Sequence, residues 1–332
     1  MSVRSALRPR SEEPGVSDDF AQETDAHRRE LLVYCYRMLG SLHDAEDLVQ
    51  DTMLRAWRAR DSYDSTRASM RTWLYRIATN ACLNALTNVE RRTLPSELVG
   101  PATELEWPLP RRDGVPWLEP IPATMAADLP QDPAAVIATR DSVRLAFVVA
   151  LQQLPARQRA VLILRDVLAI PAAQVAQTLD TSVASVNSAL QRARSQLSRL
   201  SPAQATTSAP SDSEQRAIAE KYTRAFVAGD VVALTALMRS DVELEMPPFD
   251  AWYAGLANVA AFQAARVPPN RYRAHVIGIN ASVGIAAYRT DGAGLFQATQ
   301  IQHLTIEDGA ITRIVAFVNP ELFPLFGLPA TW

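Results

Sequence analysis

Between residues 93 and 132, prolines stand at positions 95, 101, 108, 110, 116, 120, 122 and 130. Each removes a backbone donor and fixes φ, so no helix or strand of ordinary length can run through that stretch. The chain must therefore fold as separate units on either side. The same stretch holds seven acidic residues against two arginines, together with Trp107 and Trp117. It reads as an acidic linker over 95–132 with no regular structure of its own. Two tryptophans in a connection of that length predict that it docks on a surface.

The 332 residues are enough for two or three domains of usual size, and 48% hydrophobic with 21% charged residues is ordinary for globular chains. Residues 1–18 are polar and broken by Pro14 and Gly15, and read as a disordered tail. Over 19–94 apolar residues recur at three and four (Ala45, Leu48, Val49, Thr52, Ala56; then Trp73, Leu74, Ile77, Ala78, Ala81), the pattern of packed helices. Helical periodicity returns over 133–200, broken at Pro155, Pro171 and Asp180-Thr181, which predicts about four helices. Residues 201–213 are small and polar and read as a flexible linker. A third unit, 214–332, opens with helices over 214–228 and 231–237, has another near 258–266, and is otherwise strand-like. Asp308-Gly309 between two strand-like runs is a hairpin signal. The fold class expected is multidomain: two all-α units, then an α+β unit with a curved antiparallel sheet.

A net charge of −3 excludes a uniformly basic nucleic-acid binder but leaves room for local patches. Lys221 is the sole lysine; an arginine-only usage reflects coding bias before it reflects function. Cys35 and Cys82 lack metal-ligand or CxxC spacing and read as buried thiols, so neither metal nor cofactor is expected. The first 20 residues have no apolar core and no run of 18 apolar residues occurs, so the expected location is cytoplasmic.

The most specific local signal is VLILRDVLAIPAAQVAQTLDTSVASVNSALQRARSQL, a helix, a tight turn and a second helix. Pro171 suits the first turn of the first helix. Val175, Ala176 and Leu179 are expected to pack against Val183, Val186 and Leu190. Ser182, Ala184, Ser185, Asn187, Ser188, Gln191, Arg192 and Arg194 then face outward, small or polar as a helix entering a DNA major groove requires. A solvated helical hairpin is the plainer alternative. In the first unit Asp44, Glu46, Asp47, Gln50 and Asp51 form an acidic face. Beyond it Arg71, Arg76, Asn80, Asn84, Arg91 and Arg92 interleave with Trp73 and Tyr75; amides and arginines near rings suit unstacked bases, although Trp73 falls on the apolar stripe and reads as core.

The segments LVYCYRMLGSLHDAEDLVQDTMLRAWRARDSYD…TWLYRIATNACLNAL and LPARQRAVLILRDVL…VNSALQRARSQL resemble regions 2 and 4 of the extracytoplasmic-function class of sigma-70-type factors. That resemblance implies core RNA polymerase and promoter DNA as partners. It implies that Asp44, Asp47, Gln50 and Asp51 bind the β′ clamp helices, with the β flap as a second polymerase contact. Arg71, Arg76, Asn80 and Asn84, with the loop over 61–70, would engage the minus-10 element. The helix from Ser182 would lie in the minus-35 groove. By the same analogy the acidic linker would thread the polymerase's RNA path. In Asp180-Thr181 the turn departs from the frequent glycine, but Asp tolerates a left-handed backbone, so the motif should survive.

The third unit, through YTRAFVAGDVVALTALMRSDVELEMPPFDAWYAGLANVAAF and LFPLFGLP, is similar to SnoaL-like members of the NTF2-like superfamily, a fusion found in the sigma-G-like group, which also carries WLEP (117–120) in the linker. Ile121-Pro122-Ala123 departs from that group's pattern. The resemblance implies a cone with a candidate ligand pocket, placed at Met246, Trp252, Tyr253, Phe262 and His303, that takes a small molecule. Asp241, Glu243, Glu245, Tyr253, His275 and His303 are the candidate catalytic groups; no paired acid and base stands out among them, and no catalysis is expected. The reading is thus an alternative sigma factor regulated by its C-terminal domain, for which an anti-sigma factor is an optional partner. The alternatives are a ligand-sensing helix-turn-helix regulator and an NTF2-like isomerase or hydrolase.

Overall fold

The computed structural model describes residues 15–87, 91–105, 107–127, 142–200, 211–290, 292 and 294–332. The tail expected over 1–18 lies outside the described residues up to 14; from Gly15 the chain is helical. The helices α1 (Gly15–Asp25), α2 (Arg28–Leu39), α3 (Leu42–Arg58) and α4 (Met70–Ala85) form the first unit. Polar α1 is anchored by Phe20, whose ring meets Trp57 at 6.0 Å and Trp73 at 6.3 Å. Ser41 caps α3 by accepting from the Asp44 amide, and Ser69 caps α4 by accepting from Thr72. Between α2 and α3, Gly40 takes φ 72, and a Cβ there would meet Gln152 and Leu118 at 3.0 Å. Glycine is required at that corner because two other parts of the chain close on it.

A single turn, α5 (Ala123–Ala127), lies in the proline-rich stretch, whose described residues otherwise hold only a 3-10 turn over Pro95–Glu97. The second unit is α6 (Leu145–Gln152), α7 (Ala156–Leu162), a π-helical turn over Ile163–Val167, α8 (Ala172–Thr178) and α9 (Val183–Leu200). Pro155, at an expected break, and Pro171, one position earlier than the first turn expected for it, stand just before α7 and α8 with extended ψ. Asp180 adopts φ 48, the left-handed turn anticipated for it.

The third unit comprises α10 (Asp212–Ala228), α11 (Val231–Thr235), β1 (Met238–Glu245), β2 (Trp252–Ala254), α12 (Leu256–Arg266), β3 (Tyr272–Ile279), β4 (Ser282–Thr290), β5 (Phe296–Glu307), β6 (Ala310–Phe317) and α13 (Leu322–Leu325). A capping box at Ser211 and Glu214 starts α10 at Asp212. The strands order β2-β1-β6-β5-β4-β3. The sheet is mixed rather than wholly antiparallel, because β6 returns beside β1 in the same direction. Register shifts between Met238 and Glu243, Ala287 and Tyr288, and Thr305 and Ile306 bend it. Asp308 and Gly309, at φ 49 and 78, make the expected β5–β6 turn.

Both sheet faces are buried. The concave face, with Val242, Leu244, Ile285, Leu304 and Ile314, closes on Tyr222, Phe226 and Phe262 of the helices. The opposite face carries Ile279, Ala286, Ile301, Val315 and Phe317 into one apolar cluster that runs on into the cores of the two helical units. The linker is laid over these units. Its Ala102 amide donates to Trp252 O at 2.8 Å, Pro110 O accepts from Asp250 at 3.0 Å, and Arg112 pairs with Asp250 at 2.8 Å. Arg266 lies 4.0 Å over the Trp107 ring. The tryptophan-bearing stretch therefore docks on the chain itself, around Trp107 on the third unit and around Trp117 on the first.

Candidate functional site

On α3, Asp44, Asp47 and Gln50 are exposed and Asp51 is half-buried, while Ala45, Leu48, Val49 and Thr52 face the core. Asp44, Asp47 and Asp51 share a groove of about 440 Å³ with Asn84 and Arg92, floored by Leu39, Leu48 and Ala81. The acidic row and part of the α4 row are thus brought together. Two of the acids are engaged: Asp44 accepts from Arg92, which also donates to Trp117 O at 2.7 Å, and Asp51 pairs with Arg55 at 2.7 Å.

Arg76, Asn80 and Asn84 are exposed at i, i+4 and i+8 on α4. Arg71 does not join that row. Its Nε donates to Glu30 at 2.8 Å and its guanidinium sits 5.0 Å over the buried Tyr75 ring, so it fastens α4 to α2. Trp73 packs 5.2 Å from Tyr63, in the core as its periodicity required.

Every outward residue expected on α9 is exposed: Ser182, Ala184, Ser185, Asn187, Ser188, Gln191, Arg192 and Arg194. Val183, at the first turn of α9, corrects the expectation: it is 42% exposed, while Val186 and Leu190 are buried as required. Arg194 is also spoken for. It forks onto Asp166 at 2.8 and 2.6 Å, which ties α9 to the π-helical turn.

The expected cone pocket divides. Met246, Tyr253 and Phe262 belong to the interior, with Tyr253 and Phe262 rings 4.8 Å apart. Trp252 does not, since neighbouring strand residues face opposite sides; its Nε1 donates outward to Val99 O at 2.9 Å. His303 is likewise on the other face, paired with Val315 of β6, whereas Gln302 points inward to accept from Tyr222 at 2.8 Å. Glu243 and Glu245 share the His303 side, where Arg313 donates to Glu245 at 2.8 Å, and Asp241 pairs with Arg239 at 2.5 Å. His275 lies with its ring 5.4 Å from that of Trp332. These carboxylates and histidines form no acid–base pair inside the cone, and among the described residues no cluster could hold a metal. No described helix is long and apolar enough to cross a membrane.

Burial, with Arg313 and Arg144 nearby, pushes the His303 imidazole down to about 3 from an ordinary 6.5. As pH falls through 6.5 the unfolded chain gains a proton that the folded chain refuses. The stability from this site is therefore complete above the ordinary value and falls by up to about 1.4 kcal/mol per pH unit below it. Urea midpoints of the intact chain should fall with pH more steeply than those of His303→Gln; parallel slopes would contradict this.

Sequence reasoning missed the junction that joins all the units. Asn280, fully buried with φ 48 in the β3–β4 turn, donates through Nδ2 to Tyr36 Oη of α2 and to Val143 O before α6, both at 2.8 Å. Its Oδ1 accepts from the Ile121 amide at 3.1 Å, and its own amide donates to Ile121 O at 2.9 Å. One residue before the departure from the group's pattern is Pro120, and before it Glu119 sits on the N-terminus of α3, accepting from the Leu42 amide at 2.9 Å, the His43 amide at 3.2 Å and Ser41 Oγ at 2.8 Å. A carboxylate there satisfies orphan donors and complements the helix dipole. At the other side of the corner, buried Arg159 of α7 donates to Met38 O, and Gln152 of α6 to Arg37 O at 3.3 Å. A turn-type Asn-Ala between strand-like runs was the only local signal for Asn280.

The profile of Sigma-70 region 2 matches residues 18–92, and that of Sigma-70 region 4 matches residues 144–197. The ECF RNA polymerase sigma factor SigG of Mycobacterium tuberculosis is 43% identical over 99% of this chain and 88% of its own length. SigJ of the same organism is 27% identical over 91% of this chain and 92% of its own. The crystal structure of that SigJ superposes with a TM-score of 0.61 at 24% identity, covering 93% of this chain and 99% of that one, which shows the shared fold. With the acidic α3, the helix-turn-helix and the fused cone in this order, the chain belongs to the extracytoplasmic-function RNA polymerase sigma factors.

Proposed function

We propose that this alternative sigma factor docks on core polymerase through Asp44, Asp47, Gln50 and Asp51, engages the minus-10 element through Arg76, Asn80 and Asn84, and places α9 in the minus-35 major groove, with its third unit holding the chain closed until initiation. The β′ clamp helices are the partner for the acidic row and the β flap for the second helical unit. The single observation that carries the closed state is the Asn280 junction, where one buried side chain bonds both helical units and the linker. Promoter elements centred about 25 base pairs apart span roughly 85 Å of duplex. Two units that share one continuous apolar cluster cannot reach both at once, so they must part. Parting also lets the linker, now laid on the other units, leave them and enter the polymerase. The contacts to be broken combine that apolar cluster with hydrogen bonds from the buried Arg159 and Gln152 to backbone carbonyls of α2. A ligand among Met246, Tyr253 and Phe262 of the cone, or an anti-sigma protein on the helical units, could set that balance.

Transcription in vitro with purified core polymerase and genomic promoter fragments tests the reading. Discrete start sites should appear with this protein. Changing Asp47 and Asp51 to Ala should weaken core binding by about tenfold or more, equivalent to about 1.4 kcal/mol, and remove those starts. Undiminished starts from the doubly substituted chain would refute the acidic row as the docking surface.

A further inference from the structure

The bases that α9 can read follow from which side chains its exposed face holds and which it lacks. Ser182 Oγ accepts from the Ser185 amide at 3.1 Å and so caps the helix, leaving the first turns to point outward. In DNA-reading helices of this kind the N-terminal residues meet the base edges. Here Val183, Ala184, Asn187, Ser188 and, a turn later, Gln191 are exposed, opposite the buried Val186, Leu190 and Ala193. From Ser182 to Gln191 there is no arginine or lysine. Of the arginines beyond, Arg194 is forked onto Asp166 and Arg199 donates to Ser195 Oγ at 3.1 Å, which leaves Arg192, next to Gln191 at mid-helix.

Guanine is read best by a bidentate arginine or lysine, adenine by a bidentate asparagine or glutamine, and thymine by apolar contact with its methyl group. We infer that α9 reads A·T pairs at the heart of the minus-35 element. Gln191 and Asn187 take adenine N6 and N7, and Val183 with Ala184 covers a thymine methyl. The short Ala184 and Ser188 let the helix lie close to the groove floor, which short amide side chains need. A valine left 42% exposed keeps much of its apolar surface in water, and a thymine methyl gives that surface a partner. Arg192 is left for a phosphate or for one guanine at the edge of the element.

The inference rests on α9 being the promoter-reading helix, and the experiment separates the two. Holoenzyme assembled from core polymerase and the full chain is used to select from promoter fragments randomised across the minus-35 element. A·T pairs are expected at most of the central positions. Gln191→Ala should lower binding about fivefold or more and level the preference at one position, the low end of a lost bidentate contact. Replacing thymine by uracil removes only the methyl group; it should weaken the parent holoenzyme about threefold or more but leave the Val183→Ser holoenzyme unaffected, since one CH3 contact is worth about 0.8 kcal/mol. Selection of a G·C-rich core, or indifference of the parent to uracil, overturns the base assignment. If Val183→Ser, Asn187→Ala and Gln191→Ala all leave the selected sequence and its affinity unchanged, α9 is not the reader, and the underlying reading falls with it.

Discussion

Replacing Asn280 by alanine is expected to open the chain and raise its promoter output. The substitution removes three side-chain hydrogen bonds and leaves Val143 O and the Ile121 amide without that partner in a buried site, while the Tyr36 hydroxyl keeps its bond to Glu119 O. Each such orphan costs about 1–3 kcal/mol while it stays buried. The left-handed φ of 48, tolerable for asparagine, adds strain for alanine of about 1–2 kcal/mol. Together the closed arrangement loses roughly 3–5 kcal/mol, among the larger effects of a single change. The polar groups recover water as soon as the units part, so the free energy is regained by opening rather than by unfolding. Small-angle scattering should show a larger radius of gyration, and transcription at a fixed core concentration should rise. Unchanged scattering and unchanged output would show that the junction does not hold the closed state.

Arg313→Ala should destabilise the third unit by about 3–5 kcal/mol, the cost of breaking a buried ion pair from one side. Glu245 is fully buried and is held by Arg313 from the neighbouring strand and by the Ser96 amide at 2.9 Å. Without the guanidinium, the carboxylate faces an interior with one donor. Adding Glu245→Gln to the alanine variant removes the stranded charge and should recover a substantial part of the loss. Urea unfolding of the three variants checks both claims; a loss below about 1 kcal/mol, as for an exposed pair, would show that the site is wetter than its burial implies. Because Ser96 opens the linker, a loosened Glu245 should also raise hydrogen exchange in 95–105 before the rest of the chain responds.

The two predictions bear on different parts of one arrangement. Glu245 and Arg313 fasten the start of the linker to the sheet, and Asn280 fastens its end to both helical units. Glu119 between them is seated on the helix that carries the acidic row. A device that moves the linker therefore acts on the N-terminus of α3 directly, through the carboxylate that caps it.

Local structure was legible in the sequence wherever it depends on neighbours in the chain. The three-and-four recurrence of Ala45, Leu48, Val49 and Thr52 fixed which side of α3 is acidic, since helix geometry leaves the remaining side to Asp44, Asp47 and Gln50. Asp180 and the Asp308-Gly309 turn followed from side chains that tolerate a left-handed backbone. The outward face of α9 followed from its period, except at Val183 in its first turn, which is exposed. Tertiary structure alone decided the rest. Arg71 and Arg194 look available in the sequence, but their carboxylate partners, Glu30 and Asp166, stand 41 and 28 residues away. His303 and Trp252 have the composition of a pocket, yet strand alternation and the covering of both sheet faces turn them away from it. The junction at Asn280 draws on residues separated from it by up to 244 positions. Periodicity and turn preference act over a few residues and are written in order along the chain. Which charge meets which, and which sheet face is covered by what, are settled only when distant surfaces exclude water from one another.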